Sequence, residues 1–147
     1  MLALGKDRIL LIRRTGILQL VSRDDGNLLN AVKLEDVKGI MDAWSLDDLS
    51  FILLSDGKIL KIEQDLSCKQ FANLKMSVGA SSTMKIEDDK VLLVVAGKEL
   101  LPSVYRLTSA GLERIWSAKQ PKPDKLGMHI KVDIRSAAFL EAQRLIV

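Results

Sequence analysis

Residues 51–60 read "FILLSDGKIL", an apolar run followed by an Asp-Gly pair and a second apolar run. Asp-Gly tolerates the positive φ angles that a two-residue turn requires, so this stretch predicts a β-hairpin. The overlapping "KILKIEQ" (58–64) alternates polar and apolar side chains, as a half-buried strand does. Antiparallel strands are therefore expected here.

The same order of elements recurs along the chain. An apolar strand, a glycine-containing turn, an alternating strand, a second turn and a third strand can be traced in three segments, 7–29, 48–74 and 89–119. The turn glycines, Gly16, Gly57 and Gly97, are 41 and 40 residues apart. A repeat of about 40–45 residues is typical of the four-stranded blades of β-propellers.

Each segment also needs a first strand. Residues 39–44 and 81–86 supply candidates for the second and third segments, 133–140 would open a fourth, and none is found for the first. We therefore predict an all-β, WD-repeat-like partial β-propeller with about two complete four-stranded blades and two partial ones. The predicted parts are a partial blade (1–34), two blades (39–75 and 81–117), a basic inserted loop (118–132) and the start of a further blade (133–147).

The predicted blades are too few to close a propeller ring, and one other fold also fits the length of the chain. Propeller rings close with four to eight blades, so the chain is expected to be a fragment of a longer product or to complete its ring with another chain. A sandwich or barrel of about a dozen strands fits the length but does not predict the 40-residue recurrence.

Positive charge is concentrated in the predicted insertion. The chain has 22 basic and 19 acidic residues, a net charge of +3. Residues 118–132, here called the basic loop, hold four lysines and one aspartate and so carry that excess. Pro121 and Pro123 favour an extended form. Insertions in repeat arrays fall on one face, which is commonly a binding face.

Several function classes find no support in the sequence. Charges at 6–8 interrupt any signal peptide, and no apolar run is long enough to span a membrane. The single cysteine, Cys68, allows no internal disulfide and indicates a reducing compartment. Nucleophile motifs, phosphate-binding glycine loops and metal-ligand spacings are missing, so no enzyme, no cofactor and no metal are predicted.

The basic loop also carries a family resemblance. The run "IWSAKQPKPDKLGMHIKV" (115–132), followed by "AAFLE" (137–141), resembles a segment of a nucleolar WD-repeat family of ribosome-assembly factors. Its members are known as Nop-seven-associated protein one in yeast and WD-repeat protein seventy-four in animals. The matching positions are Ile115, Trp116, Ala118, Lys119, Asp124, Leu126, Met128, Phe139, Leu140 and Glu141. Lys125 replaces an arginine of the family, and Gly127, His129 and Lys131 depart from its pattern.

The resemblance implies a non-catalytic scaffold in the biogenesis of the large (60S) ribosomal subunit. Such a factor docks on pre-ribosomal RNA and neighbouring assembly factors during rRNA processing. It is released by a hexameric AAA ATPase of the nuclear valosin-containing-like type. The implied location is the nucleus and nucleolus, with no membrane and no small-molecule substrate. The alternative function is a WD-repeat-like protein–protein interaction module in another complex.

The candidate binding residues lie in the basic loop: Lys119, Lys122, Asp124, Lys125, His129 and Lys131. Lysines suit RNA phosphates, and a protein contact through the same loop is an equal possibility. Trp44 and Trp116 are expected to pack in the core or between blades. The acidic stretch "DDGN" (24–27) is expected to be a turn.

Overall fold

The protein is all-β. A computed structural model describes residues 2–4, 7–37, 39–46, 49–86, 90–140 and 144–146. The chain forms two compact units, Met1–Met76 and Ser77–Val147. Over the described ranges every regular element is a β-strand, and no helix there is long and apolar enough to cross a membrane. The expected all-β class is confirmed.

The first unit contains two four-stranded antiparallel sheets, each with its strands in sequence order. The strands of the first sheet are β1 (Leu2–Leu4), β2 (Arg8–Ile12), β3 (Ile17–Ser22) and β4 (Leu28–Lys33). Those of the second are β5 (Ile40–Leu46), β6 (Leu49–Leu54), β7 (Lys58–Ile62) and β8 (Cys68–Asn73). The opening strands β1 and β5 lie against each other.

The second unit contains one four-stranded and one two-stranded antiparallel sheet, again in sequence order. The four-stranded sheet consists of β9 (Ala80–Ile86), β10 (Lys90–Gly97), β11 (Leu100–Thr108) and β12 (Gly111–Ser117). The smaller sheet pairs β13 (Ala138–Leu140) with β14 (Arg144–Ile146). Here too the opening strands, β9 and β13, lie against each other.

Two details of the strand prediction are wrong. The first segment has an opening strand, β1, because the short apolar start of the chain is enough for three ladder pairs with β2. The strand expected over 133–140 is shortened to Ala138–Leu140, and its first residue, Asp133, makes only an isolated bridge to Lys98. Within the described residues, three sheets therefore have four strands each, whereas only two complete four-stranded blades had been expected.

The hairpin turns of the first two sheets are equivalent. Gly16 and Gly57 both have φ of +85°, a left-handed conformation that glycine adopts at little cost. The N–H of Gly57 donates to Leu54 O (2.9 Å), and its carbonyl accepts from Leu74 N (2.9 Å). Three residues, 55–57, connect β6 to β7, because both Ser55 and Asp56 precede the glycine in the turn. The two-residue turn expected from Asp-Gly is therefore wrong.

Gly97 does not match the other two turn glycines. It ends β10, and the positive φ of that hairpin (+56°) falls on Glu99. A Cβ added to Gly97 would lie 2.9 Å from the backbone nitrogen of Gly79. Gly97 is therefore required by a close approach of two backbone segments, and the expected third equivalent turn is wrong.

The core of the first unit is built from apolar side chains of both its sheets. Its buried members are Leu10, Leu18, Leu20, Ile40, Ile52, Leu54, Ile62 and Leu66. On the other face of β6, Phe51 is fully buried and stacks on Trp44 at a centroid distance of 5.9 Å. Burial on both faces explains the apolar run over residues 51–54 of β6.

The β7–β8 turn, residues 63–67, contains a residue with an unusual backbone conformation. Leu66 has φ of +66° and no exposed surface. In the corresponding β3–β4 turn that place is taken by Gly26, with φ of +71° and no atom near enough to touch an added Cβ. Asp25 and Asp65 accept hydrogen bonds from the backbone N–H two residues on (3.1 and 2.9 Å), so "DDGN" forms a turn, as expected.

Trp116 was expected to pack, and this expectation is wrong. Its side chain is 48% exposed, whereas Trp44 is 5% exposed. Trp116 lies on β12, an edge strand of its sheet, where residues 113–117 are exposed on both faces of the strand. The apolar core of the second unit lies instead beneath β9–β11 and contains Ala80, Val94, Ala96, Val104 and Ala137.

Candidate docking site

The basic loop is held at both ends by the β10–β11 hairpin, at its start by β11 and at its end by the connection between the two strands. At its start, Ala118 N donates to Pro102 O (2.8 Å). At its end, Val132 O accepts from Glu99 N (2.7 Å). Beside the first anchor, the hydroxyls of Ser103 and Ser117 lie 2.9 Å apart and join β12 to β11. The loop is thus presented from a fixed base at one end of a sheet.

Asp124 organises the middle of the loop. Its Oδ1 accepts hydrogen bonds from the backbone N–H groups of Leu126 (2.9 Å) and Met128 (2.8 Å). Asp124 N donates to Met128 O (2.9 Å), and Gly127, with φ of +78°, donates to Asp124 O (3.0 Å). The carboxylate oxygen that was expected to contact a partner is therefore engaged by the loop's own turn.

The four lysines of the loop are exposed. Lys119, Lys122 and Lys125 make no ion pair within the part of the chain that the structure describes. Lys131 Nζ lies 3.8 Å from Glu99 Oε1, and both side chains are well exposed, at 88% and 62%. Because an ion pair so open to water contributes little, all four lysines offer charge to a ligand.

His129 is exposed and lines a shallow cleft of about 270 Å³ between the loop and the β10–β11 connection. Gln120, Ile130, Lys131 and Val132 are the other loop residues that line the cleft, and Glu99 and Leu101 line it from the β10–β11 hairpin. The structure thus brings His129 and Lys131 together, while Lys119 and Lys122 are not among the cleft residues. Apolar, polar and charged side chains thus all line the cleft.

Three apolar residues of the loop were not among the predicted contacts. Leu126, Met128 and Ile130 are 81%, 60% and 54% exposed. They occupy every second position and alternate with Lys125, Gly127, His129 and Lys131. That alternation, in a segment that follows two prolines, is the feature of the sequence that could have indicated them.

A second, acidic cleft of about 500 Å³ lies in the first unit, beside the β7–β8 turn. Its residue Glu63 already pairs with Lys61 (3.4 Å) and Lys69 (3.7 Å). Next to it, burial, with a smaller contribution from Asp65, raises the pKa of the Cys68 thiol to about 11. Such a thiol is inert at neutral pH.

Within the described ranges, no group of three or more His, Cys, Asp or Glu side chains is placed to hold a metal ion. No family model and no curated protein matches this chain.

Proposed function

We propose that the protein is a non-catalytic scaffold in large ribosomal subunit assembly, related to the nucleolar WD-repeat factors that its sequence resembles. It docks on pre-60S particles through the basic loop. The observation that carries this proposal is the loop itself, which presents four exposed lysines from a base anchored at both ends. Fixed presentation of clustered charge suits a polyanionic particle.

A WD-repeat-like propeller arrangement is part of the same proposal. Three successive four-stranded meanders, each in sequence order, have the strand pattern of propeller blades. In each unit the opening strands of neighbouring sheets are adjacent, as inner strands are around a propeller axis. The two equivalent glycine turns, 41 residues apart, support a repeating unit.

The proposal is tested by sedimentation of the full chain with pre-60S particles. In the test variant Lys119, Lys122, Lys125 and Lys131 are changed together to glutamate. We expect the particle-bound fraction to fall by about tenfold or more. The salt dependence of binding should also weaken, because fewer lysine contacts with the negative charges of the particle remain for salt to screen.

The matched control changes four exposed basic residues outside the loop to glutamate. These are Arg14, Lys33, Lys85 and Lys90. The control makes the same change in net charge and should retain most of the binding. Equal loss in both variants would show a general charge effect, and full retention in the loop variant would remove the loop from the interface. Absence of the unchanged chain from pre-60S particles would refute the scaffold function.

The second candidate is a protein–protein interaction module outside ribosome assembly. It is favoured by the exposed apolar side chains of the loop, which RNA phosphates do not require. In that case the chain would be recovered in complexes that contain no ribosomal RNA.

A further inference from the structure

We infer that the direct ligand of the basic loop is a segment of a partner protein with acidic and apolar side chains. The inference deepens the proposed function and rests on the loop being the docking element. It concerns the chemistry of what the loop binds, which the lysines alone leave undecided between RNA and protein.

The exposed apolar residues give the first argument. Leu126, Met128 and Ile130 form a run of large apolar side chains at alternate positions, all more than half exposed. Aliphatic side chains kept in water are unfavourable, and a group of them marks an interaction surface. They have no flat π face for stacking on a base, whereas a protein segment with apolar side chains can bury them.

The backbone gives the second argument. Between the Asp124 turn and the anchor at Val132, residues 129–131 make no backbone hydrogen bond to the described chain. Backbone donors and acceptors of this kind are available to an extended peptide that lies alongside. The adjacent cleft, with Leu101 and Ile130 in its wall, can receive one apolar side chain of that peptide.

Charge selects the sign of the partner. The loop has four exposed lysines, and its one carboxylate already accepts two backbone hydrogen bonds. Complementary potentials favour an acidic segment and repel a basic one. Apolar side chains supply the buried area, and the lysines supply orientation and choice of partner. An acidic, apolar-bearing segment meets both requirements.

The experiment uses photo-cross-linking in the full-length chain expressed in cells. The photoreactive residue p-benzoylphenylalanine replaces Met128 in one variant and Ile130 in another. Leu28, a 57% exposed residue of β4, serves as the control position. After irradiation, pre-60S particles and total lysate are both recovered, and the cross-linked peptide or nucleotide is identified by mass spectrometry.

The expected product joins positions 128 and 130 to one protein segment that contains aspartate or glutamate together with aliphatic residues, and position 28 does not yield it. Changing Leu126 to serine in the Ile130 variant should reduce this product by about tenfold, as removal of a central apolar anchor does. The Lys119→Glu, Lys122→Glu, Lys125→Glu change should reduce it by a similar factor.

Three results would overturn the inference. They are a cross-link to RNA, a cross-link to a basic or uncharged segment, and no product at 128 and 130 from particles that do contain the protein. Failure of the proposed function is distinguishable from these. An acidic-segment product recovered only from complexes without ribosomal RNA would uphold the inference and refute the role in ribosome assembly.

Discussion

Replacing Gly57 with alanine tests whether the β6–β7 turn is limited by space as well as by backbone conformation. Gly57 has φ of +85°, and a Cβ added there would collide with the carbonyl oxygen of Met76. It would also lie 3.3 Å from Leu74 Cβ. The nearest obstacle is backbone, which cannot rotate away as a flexible side chain can.

The magnitude follows from comparison with Gly26. Gly26 also has a positive φ, +71°, but nothing lies within 4 Å of an added Cβ. Gly26→Ala should therefore lower the free energy of unfolding only by the cost of placing a Cβ in the left-handed conformation, about 1–2 kcal/mol. Gly57→Ala adds an overpacking penalty of about 1–3 kcal/mol, for a total of roughly 2–5 kcal/mol. Gly16→Ala, with a closest contact of 3.3 Å to Val37 Cβ, should fall between them.

The assay is urea denaturation followed by tryptophan fluorescence. In a Trp116→Phe background the remaining tryptophan, Trp44, is buried against Phe51 in the same unit as all three glycines and so reports on that unit. Free energies of unfolding are compared at equal m values. If Gly57→Ala and Gly26→Ala destabilise equally, the proximity of the Met76 carbonyl has no energetic consequence and the reasoning is refuted.

Three further outcomes are expected. Because burial raises the pKa of Cys68 to about 11 from its ordinary 9.0, iodoacetamide at pH 8 should alkylate the folded protein roughly a hundredfold more slowly than the urea-unfolded chain; equal rates would contradict this. Burial also raises the pKa of Asp42 above 3.8, so the native state binds its proton more readily than the unfolded chain does, and stability falls as pH rises from 3.8 through the raised pKa. Asp42→Asn should therefore raise the urea midpoint of unfolding at pH 7 and leave it unchanged at pH 3. An unchanged urea midpoint at both pH values would show that burial of the charged Asp42 carboxylate does not destabilise the fold. In the basic loop, Asp124→Ala removes two hydrogen bonds worth about 0.5–1 kcal/mol each. Tryptic cleavage after Lys125 should therefore be about fivefold faster in Asp124→Ala than in Asp124→Asn, which keeps the acceptor oxygen. Identical cleavage rates would show that the turn does not depend on that oxygen.

The repeat could be read from the sequence because its turns depend on local chemistry. A glycine between two apolar runs places a positive φ at one position, and Gly16 and Gly57 satisfy that requirement in the same way. Gly97 has the same spacing, but its reason is a tertiary contact with Gly79. Spacing alone does not distinguish a turn glycine from a glycine needed for close packing.

Exposure was harder to predict than strand location. Trp44 and Trp116 both lie on edge strands, β5 and β12, yet Trp44 is buried and Trp116 is exposed. Trp44 is covered because it stacks on Phe51 of the neighbouring strand β6, and the side chains that cover a strand are not encoded in the few residues around a tryptophan. In the basic loop, the lysines could be chosen from the sequence by their charge, whereas the exposure of Leu126 was indicated only by its place in an alternating segment.

The leucine in the β7–β8 turn has a consequence for how the repeats can diverge. Leu66 accepts an unfavourable backbone angle, about 1–2 kcal/mol for a non-glycine residue, and full burial of its side chain returns about as much. Gly26 meets the same angle without strain and contributes no side chain to the interior. The two equivalent turns thus differ: the β7–β8 turn inserts a leucine side chain into the core, and the β3–β4 turn contributes none. A substitution at Leu66 therefore changes the backbone strain and the packing of the core together, whereas a substitution at Gly26 changes only the backbone strain.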